Sequence, residues 1–91
     1  MPKYMIERQI PGAGKMSAGE LQAVAKKSNE VLHQLPEVQW VETFVTDDKL
    51  YCVYIAPNEN AVREHARRGG FPADTVTVVR HVLDPSAAEA A

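Results

Sequence analysis

Five side chains in this sequence could hold a metal or move a proton: the carboxylates Glu7 and Glu42, the thiol Cys52, the imidazole His65 and the phenol Tyr54. Carboxylate oxygens suit hard cations, whereas imidazole and thiolate suit nickel, copper and zinc. A carboxylate on an apolar face is costly unless it is paired or binds a metal. Each residue also has a plainer reading. A single cysteine on a strand commonly behaves as a small buried hydrophobe. His65, on the inner side of a short helix, suits a packed histidine hydrogen-bonded to a loop carbonyl, although histidine is also the commonest metal ligand. Glu7, beside Arg8, could be one half of a cross-strand ion pair. Tyr54 and Trp40 suit core or interface positions. Neither His65, one residue past Glu64 on a helix, nor His81, on the last strand, has a recognised metal-site spacing, no CxxC or HExxH occurs, and His33 reads as an exposed helix-end residue. Gly14-Lys15 fails as a phosphate loop, because Met16 stands where Ser or Thr is required and Gln9 where the first Gly should be.

These residues must be positioned by the stretch Val38 to Ile55, VQWVETFVTDDKLYCVYI. Its β-branched and aromatic runs, broken by Thr46-Asp47-Asp48-Lys49, predict an antiparallel hairpin. Asp-Asp is a weaker turn signal than Asn-Gly, so the turn alone does not fix the register. Alternation places Tyr51, Val53 and Ile55 on one face and Leu50, Cys52 and Tyr54 on the other. On the preceding strand it sets Val41, Thr43 and Val45 against Trp40, Glu42 and Phe44. The aliphatic faces are expected to meet helices, leaving the mixed faces for another cover.

Around the hairpin, Lys3 to Ile10 reads as a first strand, with Tyr4, Ile6, Arg8 and Ile10 on one side and Lys3, Met5, Glu7 and Gln9 on the other. Pro11-Gly12-Ala13-Gly14 breaks it. Ser17 to Leu35 is the strongest helix: Ser17 and Glu20 form a capping box, and Leu21, Val24, Ala25, Val31, Leu32 and Leu35 recur at helical spacing. Pro36 stops it. Asn58 caps a second, shorter helix that presents Ala61, Val62, His65 and Ala66 and ends at Gly69-Gly70. Arg67 and Arg68 then read as helix-end cations. Thr75 to Leu83 is a last strand, and Asp84 to Ala91 a frayed tail.

Composition narrows the function classes. The 91 residues suit one domain, spanning 1–83 with a flexible tail at 84–91. A net charge of -2 supplies no field for nucleic acid or an anionic membrane. No apolar run approaches the roughly 20 residues of a membrane span. One cysteine and no secretory leader make a reducing cytoplasm the expected location.

The order strand, helix, strand, strand, helix, strand predicts an α+β, ferredoxin-like βαββαβ fold. Right-handed crossovers put both helices on one face of a four-stranded antiparallel sheet. The bare face is then expected to carry Trp40, Phe44, Leu50, Cys52 and Tyr54, and to be covered by a second copy in a dimeric αβ-barrel. Glu7, Glu42 and Cys52 are expected to share the enclosed space.

Several segments also resemble a family of small bacterial nickel-binding proteins known as a domain of unknown function. They are YMIER (Tyr4 to Arg8), SNEVL (Ser28 to Leu32), VQWVETFVTDDKLYCVYIAP (Val38 to Pro57), REHARRGGFPAD (Arg63 to Asp74) and the valine-rich strand that follows. The pieces occur in the same order and spacing over nearly the whole chain except the tail. The resemblance implies a ferredoxin-like dimeric αβ-barrel that binds nickel or another divalent metal. Glu7, Cys52 and His65 are the first candidates for ligands, followed by Glu42 and Tyr54. Sequestering or buffering nickel is the function expected on this basis. An alternative is a cofactor-free monooxygenase or isomerase, by fold-level analogy, with Trp40 and Tyr54 lining the pocket and His65 or Glu42 as base. A plain interaction module, in which the bare face only dimerises, is a third reading.

Overall fold

The computed structural model describes residues 1–89; the end of the tail expected at 84–91 lies outside the described residues. Four strands and two helices follow in the expected order: β1 (Lys3–Gln9), α1 (Ala18–Leu32), β2 (Gln39–Val45), β3 (Lys49–Ile55), α2 (Glu59–Gly69) and β4 (Thr75–Val79). The sheet order is β2-β3-β1-β4, with every neighbouring pair antiparallel. The fold is α+β and ferredoxin-like.

Local chemistry accounts for most boundaries. The Ser17 hydroxyl accepts from the Glu20 N–H, and the Glu20 carboxylate accepts from the Ser17 N–H, both at 3.1 Å, which completes the capping box. Asn58 Oδ1 accepts from Ala61 N and starts α2. Gly70, at φ +70°, closes α2 in the left-handed conformation that glycine adopts without penalty. The Thr46–Lys49 turn is closed by the Thr46 N–H to the Lys49 carbonyl. It also docks on the segment after β1: Ile10 N and Gly14 N donate to the carbonyls of Asp48 and Asp47, and Gly12 N to Asp48 Oδ1. Contacts outside the turn thus hold the register that Asp-Asp leaves open. The last strand stops at Val79 rather than Leu83. Val79 pairs with Lys3, the first residue of β1, so the chain beyond it has no partner strand.

One expectation about the sheet is overturned. The helices cover the face that carries Leu50, Cys52 and Tyr54, not the face with Tyr51, Val53 and Ile55. Leu50, Cys52 and Tyr54 are buried in one core with Tyr4, Ile6, Val31, Leu35, Val38 and Val62. Register explains this. Cys52 pairs with Ile6 and Tyr54 with Tyr4, whereas Tyr51 pairs with Glu7 and Ile55 with Lys3. The faces of β1 therefore decide: the side with Lys3, Glu7 and Gln9 stays wet, and the side with Tyr4 and Ile6 turns inward, taking Arg8 with it. A bulge between Trp40 and Glu42 adds a second shift. It turns Trp40, Thr43 and Val45 to the helix side, opposite Tyr54, Cys52 and Leu50, and leaves Glu42 and Phe44 on the open side.

Candidate functional site

The reversal separates the candidate ligands. Glu7 and Glu42 lie on the open face of the sheet, while Cys52, Tyr54 and His65 lie between sheet and helices. Glu7 is the acid of a cross-strand ion pair, accepting from Lys49 Nζ at 2.7 Å. Lys49 holds its proton above the ordinary lysine range because of this bond and the attraction of the same carboxylate. Glu42 is exposed on β2 opposite Val53, which in turn pairs with Met5. The two acids are thus two strands and two residues apart, about 12 Å at the usual strand spacing and rise. Among the described residues, no three of His, Cys, Asp and Glu gather closely enough to hold a metal.

Beneath the helices is a polar cluster that the sequence reading did not single out. At its centre is Arg8, only 2% exposed. Its Nη2 donates to Tyr54 Oη at 3.3 Å, its Nε to Cys52 Sγ at 3.5 Å, and its Nη1 to the Pro72 carbonyl. The Phe71 ring lies 5.5 Å from the guanidinium carbon, close enough for a cation–π contact. His65 is fully buried on α2, 5.1 Å from the Tyr54 ring and 5.8 Å from Phe71, centroid to centroid. Its Nε2 is 3.2 Å from Ser28 Oγ on α1, a bond that ties the two helices together. Its Nδ1 is buried with no partner. The expected loop carbonyl is therefore replaced by a hydroxyl from the other helix. His33 and His81 are exposed, and Arg67 and Arg68 both pair with Glu64 at their own helix end.

The electrostatics of this cluster disfavour a cation. Burial, reinforced by the Cys52 side chain and only partly opposed by Arg8, pushes the Tyr54 phenol up to about 12, so it stays protonated. Burial, with Arg8 adding to it, lowers His65 below its ordinary value and keeps the ring neutral. A divalent ion about 4 Å from the guanidinium would be repelled by about 8 kcal/mol at an effective dielectric of 20. Cys52, Tyr54 and His65 therefore do not fit a nickel site while Arg8 stands among them.

Arg8, Cys52, Tyr54 and Ser28 also line a cavity of about 340 Å³. Its remaining walls are apolar, from Leu21, Val24 and Ala25 on α1 and from Trp40 and Val45 on β2, apart from Thr43, whose hydroxyl accepts from Trp40 Nε1. The first half of the α1 stripe thus faces space, while Val31, in its last turn, and Leu35, which lies past the helix end at Leu32 rather than closing it as expected, are buried. Arg8 left a signal in the sequence: it alternates with Tyr4, Ile6 and Ile10, on what proves to be the buried side of β1.

The family described as "Nickel responsive protein SCO4226-like" matches residues 4–79. The crystal structure of SCO4226 from Streptomyces coelicolor A3(2) superposes with a TM-score of 0.76, at 18% identity. The match covers 89% of this chain and 99% of that one, and at this identity it shows a shared fold. No functionally curated protein matches the chain.

Proposed function

The chain belongs to the SCO4226-like family of nickel-responsive proteins, and from that premise we propose that it binds nickel between two copies of itself, through the open face of the sheet. The observation that carries this reading is the pairing of Glu7 and Glu42 with exposed apolar side chains on one uncovered surface. Met5, Val41 and Phe44 are 37%, 44% and 52% exposed there, a concentration that suits an interface. Within one chain the two acids are too far apart to share an ion. In a twofold interface, a residue that meets another across the axis is met by it in return. Glu7 of one copy set against Glu42 of the other would make two equivalent sites with carboxylates from both chains, a harder donor set than nickel favours, so water must complete its coordination. Nickel would compete with Lys49 for Glu7.

The experiment is a calorimetric titration of the untagged protein with Ni(II), alongside the Glu7→Gln/Glu42→Gln double variant and a sedimentation run on each. Wild type is expected to bind about one ion per chain as a dimer, and the double variant to bind at least roughly tenfold more weakly while keeping its fold, as loss of charged donors requires. Absence of heat in the wild type, or undiminished binding in the variant, would overturn the assignment. The monooxygenase or isomerase alternative gains no support from the matches, neither of which names a catalysed reaction.

A further inference from the structure

A buried guanidinium with no carboxylate beside it needs explaining. Among the described residues, Arg8 takes part in no ion pair. Its neighbours are a thiol, a phenol, a carbonyl and an aromatic ring. Tyr54, held protonated by burial, brings no negative charge. Of the five N–H donors of an arginine, three are used. Taking such a charge out of water costs several kcal/mol unless an opposite charge offsets it. The cost is incurred at the wall of a cavity that is otherwise mostly apolar.

That cavity is unfinished as a hydrophobic core. Leu21, Val24 and Ala25 occupy the inward stripe of α1, yet Leu21 remains 36% exposed. Opposite them, Val45 is 42% exposed at the end of β2. The mouth therefore lies between α1 and β2, and Arg8, with Ser28 and Tyr54, lies deeper. About 340 Å³ is within the size range of small-molecule sites, which combine apolar walls with a few placed polar groups.

We propose that this cavity binds a small organic monocarboxylate with an apolar body, its carboxylate on the Arg8 guanidinium and its hydrocarbon against Leu21, Val24, Ala25 and Trp40. One charge on the wall selects one charge on the ligand, and the planar fork of arginine matches a carboxylate with two parallel hydrogen bonds. The Ser28 hydroxyl offers a further polar contact. Phe71 and the Pro72 carbonyl hold the guanidinium from the side of the segment after α2, and with Arg8 only 2% exposed a carboxylate must draw it a little way toward the cavity to bond it. This site shares no residue with the nickel site proposed on the open face, and either can fail without the other.

Trp40 is the chain's sole tryptophan and lines the cavity, so its fluorescence reports occupancy. The probe is decanoate, compared with decanol in the same metal-free buffer containing EDTA. Saturable change is expected with decanoate, at least roughly tenfold tighter than with decanol, the ratio set by one charge-assisted hydrogen bond. Arg8→Gln is expected to lose that preference, and Arg8→Lys to keep part of it. Three results would each overturn the proposal: no saturable change or heat with decanoate up to about 1 mM, the range where a useful site would fill; equal affinity for decanoate and decanol in the wild type; or an undiminished preference in a folded Arg8→Gln. The first two need only the wild-type protein, so they decide the matter even if the variants misfold.

Discussion

At the scale of single residues, the helix side of the sheet is ruled by one cation and what surrounds it. Arg8 helps keep His65 neutral, although burial is the larger cause. His65 faces Arg8, Tyr54, Ser28 and Phe71, and none of them brings a negative charge. The pH consequence has a definite sign. The folded-state value is lowered, so the stability that the neutral ring contributes is fully present above the ordinary value of 6.5. It is lost as pH falls through the lower folded value, because the unfolded chain then binds the extra proton. The midpoint of urea unfolding is therefore expected to fall as pH drops below 6.5, and to fall less in His65→Phe. His33 and His81 are present in both proteins, so the difference between the two curves isolates His65. Identical slopes would show that the ring is not held neutral. Cys52 and Tyr54 were legible as strand residues, but their partner was not: Arg8 reaches both across the β1–β3 pairing, from 44 and 46 residues away in sequence.

At the scale of elements, the end of α2 shows how a helix terminus shapes the cluster. Gly70 is there for its left-handed backbone, and Gly69 for a different reason. A Cβ at Gly69 would run into the ring of Phe71, the same ring that lies over Arg8. Gly69→Ala gains helix propensity but must displace the ring, and overpacking of this kind costs about 1–3 kcal/mol. Its unfolding midpoint is expected to drop, whereas a rise would mean that Phe71 moves aside freely. Ser17→Ala, which removes half of the capping box of α1, is expected to cost about 1 kcal/mol by the same measurement. Both caps were readable from the residues themselves, because capping is chemistry within three or four positions. The Phe71 overlap was not, since it depends on how the chain folds back after the glycines.

At the scale of the whole molecule, the two faces of the sheet differ. The helices cover one, and the other is open to the second copy proposed for it. Phe44, over half exposed on β2, is the test residue for the second face. Phe44→Lys is expected to weaken dimerisation by roughly tenfold or more in sedimentation, in line with loss of an aromatic anchor, while far-UV circular dichroism stays unchanged. A monomeric wild type, or a variant that dimerises as well as the wild type, would remove the interface and with it the two-chain nickel sites. The cavity under the helices would be unaffected by either result.

Element order, the caps, the break at Pro11–Gly14 and the ferredoxin-like fold followed from the sequence alone, because hydrophobic period and terminal chemistry are local properties. What the tertiary structure decided was parity. The pairing of β1 with β3 and the bulge at Trp40–Glu42 determine which alternate residues point inward, and neither is encoded within a single strand. A side-chain period of two makes that choice all or none. It moved Cys52 and Tyr54 away from the two acids and placed them around Arg8, turning an expected chamber of metal ligands into a cavity with a buried positive charge.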